Sequence, residues 1–249
     1  MKYFIRLFSL LAIGALFFAC NQQQGNSPAA PEIDNSLQSR RSGAAAFANR
    51  EFQFDITIEN LTPATGPGAS QPFSPPIVAT HALRYHIFKV GTYASDELAQ
   101  VAQDAVSAPM IEMLNESKRV YDVAQGDGVI LPGKSTTIRI KAKPGYRFLS
   151  LVSMLVNTND AFAGADAIRL PGLGGSKVVY LHAYDAGTEK NTELASDIPG
   201  PCCGSPFHGT PTHQRIRLHK GIMGIGDLEP DMYGWDDPVA KLTITLVEE

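Results

Sequence analysis

A chain of 249 residues with a formal net charge of -4 carries no basic stripe for nucleic acid, and so mild an acidity selects no partner by itself. The first fifty residues differ in composition from the rest, and the roughly 200 that follow suffice for one large domain with its own core. No Gly-x-Ser-x-Gly elbow, His-Glu-x-x-His pair or Walker loop occurs.

Met1 to Arg6 supplies a short basic start, and Leu7 to Ala19 is an apolar run broken only by Ser9. That run is short for a membrane span and suits a secretory signal. Cys20, directly after the small Ala19, marks a bacterial lipoprotein signal in which Cys20 becomes the acylated first residue, although Phe17 and Phe18 depart from the usual aliphatic pattern. The expectation is a signal peptide over 1–19, a lipidated cysteine with a tether over 20–50, and a membrane anchor made of acyl chains in the cell envelope. Asn21 to Ala46 is rich in Gln, Asn, Ser, Pro and Ala, which bury too little apolar surface to offset the entropy of ordering.

Glu51 to Ile58 alternates apolar and polar residues with period two and predicts a first strand. Asn60 to Pro76, with seven Pro and Gly residues, predicts a surface loop. His81 and His86 flank a strand-like run reaching Phe88, where a histidine is usually a hydrogen-bonded structural residue. Ser95 can cap a helix whose Leu98, Val101, Ala102 and Ala105 share a face, and Pro109 opens a second short helix over Met110 to Leu114. These helices read as one insertion covering a sheet edge or end. Val120 to Val129 is a strand or a loop.

Thr136 to Ala142 alternates cleanly, Pro144-Gly145 turns the chain, and Phe148 to Val156 is an apolar strand. Val178 to Glu189 ends in the same way, with a polar cluster after an apolar run. Asn191 to Thr212 and Gly221 to Asp237 read as loops around a strand at Gln214 to His219, and Lys241 to Val247 closes the domain. Short strands separated by Gly and Pro turns, with little helix, point to an all-β antiparallel sandwich or barrel.

The two central strands each deliver carboxylates to a loop: Asp160 after the first, Asp185 and Glu189 after the second. If the loops share one end, three anionic oxygens converge and call for a cation, with calcium as the hard ion that carboxylates prefer. Loop carbonyls, water or Asn159 would fill the remaining ligands. Spacing alone favours turn-forming Asp at these positions. Asp227, Glu229, Asp231, Asp236 and Asp237 form a second acidic run, but Met232 and Pro238 break the EF-hand pattern, which leaves a solvated loop. Gly221 to Gly226 hints at a dinucleotide loop and fails, because Asp227-Leu-Glu-Pro230 stands where a helix must start. Cys202-Cys203 allow a vicinal disulfide in an oxidising compartment, zinc ligation with His208, His213 and His219, or two inert thiols, and their spacing matches no standard finger.

Asn159-Asp160-Ala-Phe162-Ala-Gly164 and Tyr184-Asp185-Ala-Gly-Thr-Glu189, supported by Phe73 to His81, Gly91 to Ser95 and Pro238 to Ile244, resemble the signatures of the spondin domain, over about residues 51–249. The chain departs from the animal members at Ala161, where they carry an aromatic residue, and at Glu189, where they carry Asp. The resemblance implies a C2-like β-sandwich, here with a short helical insertion, that holds calcium through Asp160, Asp185 and Glu189. It further implies a binding or adhesion module; the animal members' partners do not carry over, and the expected ligand is an unknown protein or glycan at the cell surface. The rival reading is a metal-dependent envelope hydrolase in which His182 or His219 serves as base.

Overall fold

The computed structural model describes residues 50–64, 70–172 and 174–247. The expected signal peptide, Cys20 and most of the tether lie outside the described residues. Among the described residues nine strands form one antiparallel sheet: β1 (Phe52–Asn60), β2 (Ile77–His81), β3 (Val120–Gln125), β4 (Ser135–Ala142), β5 (Phe148–Met154), β6 (Ala161–Arg169), β7 (Ser176–Asp185), β8 (Arg217–Leu218) and β9 (Ala240–Leu246). Their spatial order is β3-β2-β5-β6-β7-β9-β1-β4, with β8 beside the end of β7. The all-β antiparallel class expected from the sequence is the one observed.

β7 belongs to both halves of this sheet. Its residues Ser176 to Leu181 pair with β9, and His182 to Asp185 pair with β6. The sheet folds back on itself there, and the core fills the space between the two layers. Phe54, Ile56 and Ile58 of β1, Ile140 of β4, Leu149 and Leu151 of β5 and Leu242 and Ile244 of β9 meet in one buried cluster. Side chains of this size each contribute roughly 1.5–3 kcal/mol when fully buried. The end strands β3 and β4 are joined through a side chain, Lys141 N–H donating to Asp122 at 2.7 Å, and β2 adds a tie to β4, Thr80 Oγ1 donating to the Lys141 carbonyl at 2.6 Å. Open strand edges are thereby blunted.

The helices α1 (Asp96–Asp104) and α2 (Ala108–Glu116) form as the sequence suggests, with the Ser95 hydroxyl accepting the Leu98 N–H at 3.3 Å. They cover a sheet face instead of the expected edge or end. Leu98, Val101, Met110 and Leu114 pack against Ile77, Ala79, Val152 and Phe162 on the outer side of β2, β5 and β6. This second cover explains why β2 is buried along its whole length and why its sequence does not alternate.

Two further expectations are corrected, and one open reading is resolved. The strand expected through Phe88 lies earlier, at Ile77–His81, because Arg84 turns the chain with φ 66. Val120–Gln125 is a strand, and the strand expected over Gln214 to His219 shrinks to Arg217–Leu218, since only Tyr184 and Asp185 are there to pair with it.

Candidate metal centre

Strand pairing brings the carboxylates together. Ala161 stands opposite Asp185 in the β6–β7 ladder, and the Ala186 N–H donates to the Asp160 carbonyl at 3.1 Å, so Asp160 and Asp185 sit at adjacent strand ends. Gly187 then reverses the chain with φ 74, and a Cβ there would lie 2.5 Å from the Gln214 carbonyl oxygen, so no other residue fits. The reversal returns Thr188 and Glu189 to Asp160, whose Oδ2 accepts the Thr188 N–H at 2.7 Å, the Thr188 hydroxyl at 3.0 Å and the Glu189 N–H at 3.0 Å.

The other oxygen of Asp160 has no partner. Asp160 is fully buried, and Oδ1 meets no hydrogen-bond donor among the described residues. Burial first, and the Asp185 charge second, push its carboxyl up to about 6 against the pull of the three donors. Glu189 is also buried and its carboxyl lies directly on Gly209, where a Cβ would come within 1.9 Å of Cδ. Burial, followed by the charges of Asp160, Asp104 and Asp197, pushes Glu189 up to about 8.

Asp185 is the best satisfied of the three. Its Oδ1 accepts the Gly187 N–H at 2.7 Å, and its Oδ2 accepts Asn191 Nδ2 at 2.8 Å and Arg217 Nη2 at 2.7 Å. Arg217 stands directly opposite Asp185 in the β7–β8 pairing. Asn191 Oδ1 is a second buried oxygen without a partner. Asn159, expected as a spare ligand, instead ties loops together: its Oδ1 accepts the Thr192 and Glu193 N–H groups at 3.1 and 3.3 Å.

Among the described residues, no three His, Cys, Asp or Glu side chains stand close enough together to hold a metal ion. Asp160 and Asp185 are neighbours at adjacent strand ends without forming a closed cage with Glu189. The donor chemistry nevertheless fits a hard cation. Asp160 Oδ1 and Asn191 Oδ1 are oxygens withdrawn from water with nothing to bond, and Asp160 and Glu189 carry charges that burial disfavours. Sequence reading missed Asn191, although an amide two residues beyond Glu189 in the same loop is the available signal.

The remaining candidates lie elsewhere. Cys202 and Cys203 are disulfide-bonded, with Cα atoms 3.8 Å apart, and pack against Ile198, Ile222 and Leu228. His213 stacks on Tyr93 at 4.1 Å. Of the second acidic run, Asp227 Oδ2 accepts the Ala195 N–H at 2.8 Å, and Asp237 Oδ1 accepts the Ala183 N–H at 3.2 Å. His182 Nδ1 pairs with Asp237 at 3.5 Å, away from the acidic centre, whereas His219 lies near enough to Asp185 to feel its charge. Ser150 Oγ lies 2.8 Å from His81 Nε2 and donates to Asp166 Oδ1 at 3.1 Å, so the serine stands between the ring and the acid, the wrong order for a nucleophilic triad; Ser150 and His81 are fully buried, and the set braces β2, β5 and β6.

The Spondin_N family model matches residues 57–200, more than half of the chain and including Asp160, Asp185 and Glu189. The chain belongs to the spondin family. Spondin domains are extracellular binding modules, and the match covers β2 to β7, both helices and the last four residues of β1. No curated protein matches this spondin domain.

Proposed function

We propose that this spondin domain is a calcium-binding module that presents a rigid loop surface to a protein or glycan ligand at the cell surface, anchored to a membrane through an acylated Cys20. The observation that carries the calcium reading is the fully buried Asp160 Oδ1, which has no partner among the described residues, on a carboxylate that interacts electrostatically with the buried Asp185 and Glu189. Asp160, Asp185 and Glu189 would hold the ion, with Asn191 Oδ1 as an added neutral oxygen. The ion supplies the positive charge that Arg217 alone does not, so that the loops after β5 and β7 no longer repel.

The role as a binding surface rests on family membership and on the density of main-chain bonds that fix these loops. Thr212 N–H donates to the Thr188 carbonyl at 2.7 Å, and Lys190 N–H to the Thr210 carbonyl at 2.8 Å. Rigid loops lose little entropy on binding.

The test is the melting temperature of the full chain in EDTA and then in graded calcium, with magnesium as control. A saturable calcium-specific rise is expected, because an ion bound only by the folded state stabilises it by about 2.7 kcal/mol at one hundred times Kd. No rise with calcium removes the reading.

A further inference from the structure

A cavity of about 590 Å³ adjoins Asp185, with Arg217, His219, Lys220, Glu193, Met223 and Ile225 in its lining. Its acids are turned inward. Glu193 is 4% exposed, and its two carboxylate oxygens accept the Met223 N–H at 2.6 Å and the Ile225 N–H at 2.8 Å, while Asp185 is 2% exposed and bonded on both oxygens. Its cations face solvent: the Arg217 side chain is 41% exposed, and Lys220 is exposed with no acidic partner among the described residues. His219 Nδ1 accepts the Gly221 N–H at 3.0 Å, which leaves Nε2 as the donor of the ring. The lining thus balances Arg217 and Lys220 against Asp185 and Glu193, but because both acids are buried and bonded, the groups a solute meets are the exposed cations and a ring donor.

The opposite character lies on the 221–227 loop. Met223 and Ile225 are 58% and 68% exposed, yet the loop that bears them is fixed, since Glu193 clamps both of their N–H groups and its carbonyl accepts the Asp227 N–H at 2.7 Å. Two aliphatic side chains held out in water by a bonded loop have an apolar surface to offer. From this juxtaposition we infer that the cavity binds a carboxylate carried on an apolar body, the anion on Lys220, Arg217 and His219 and the hydrocarbon on Met223 and Ile225. Enclosed concave sites with an apolar wall and a few placed polar groups are the ordinary form of small-molecule sites.

A free fatty acid and the C-terminal end of an apolar peptide share this chemistry. Trp235, the single tryptophan of the chain, lies 5.3 Å from His219 and reports occupancy. The experiment follows the fluorescence of the full chain in EDTA, so that no ion bridges the anion, during titration with octanoate, octylamine, acetate, and tri-leucine with a free or an amidated C-terminus. A saturable response is expected to octanoate, to free-ended tri-leucine or to both, and not to octylamine, acetate or the amide. Lys220→Glu and Ile225→Asp, both at exposed positions, should each raise the half-saturating concentration about tenfold or more while leaving the ligand-free spectrum unchanged. The inference is overturned if neither free carboxylate saturates, if octylamine serves as well, or if Lys220→Glu has no effect. It does not depend on calcium, so its failure leaves the ion reading standing.

Discussion

Replacing Asp160 with Asn should reverse its effect on stability between EDTA and calcium. Asn keeps one oxygen to accept the Thr188 and Glu189 N–H groups and places an uncharged group where Oδ1 now lies without a partner. The Asp160 carboxyl rises from its usual 3.8 to about 6 on folding, so at pH 8 the folded protein carries a charge that its surroundings disfavour. At 1.36 kcal/mol per unit, that disfavour is on the order of 3 kcal/mol. The sign follows from proton binding: between these two values the folded state holds the extra proton, so its stability is highest below pH 4 and is lost as pH rises through about 6. Removing the charge also eases ionisation of Glu189, which Asp160 helps to hold at about 8. In EDTA at pH 8 the variant should therefore melt higher than the parent, by roughly 6–12 °C at about 2–4 °C per kcal/mol for a domain of this size. At pH 4 the two should melt together. In saturating calcium the order should invert, because only the parent gains by mass action. Differential scanning calorimetry at the two pH values, with and without calcium, decides it. A variant that melts lower than the parent in EDTA at pH 8, or an equal calcium shift in both proteins, would refute the reasoning.

Three further outcomes are expected. Gly187→Ala forces a Cβ to within 2.5 Å of the Gln214 carbonyl at φ 74, and should cost about 1–3 kcal/mol in denaturant melts together with the calcium shift. Phe162→Ala empties a fully buried site between Phe88 and Tyr184, whose ring centroids lie 5.0 and 5.6 Å away, and should cost about 3–5 kcal/mol. Cys20→Ser should move the protein from the membrane fraction to the soluble one when cells are fractionated, and retention in the membrane would count against acylation as the anchor.

The half-buried strands were the easiest to read from sequence. In β1 and β4 every second residue faces the core, and the alternation of Phe54, Ile56 and Ile58 states it directly. β2 escaped because both of its faces are covered, one by the core and one by α1 and α2, so Ile77 to His81 carries no period. The acidic positions were legible as loop carboxylates after strands, but their environments were not. That Asp185 would be held by Arg217 depends on a two-residue pairing formed across 32 positions of sequence, and that Asp160 would keep one oxygen idle depends on a turn fixed by Gly187. Local pattern records the faces of an element, whereas long-range pairing decides which charges meet.

β9 enters the sheet between β7 and β1, although it is the last strand in the chain and lies beyond residue 200, where the family match ends. A fragment cut at that boundary would lack a central strand and would leave Ser176 to Leu181 of β7 and the facing side of β1 as bare, apolar-lined edges. Such edges recruit strands from other molecules. β9 thus keeps the sheet from polymerising, and an expression boundary drawn at the homology limit would yield aggregate in place of a smaller domain.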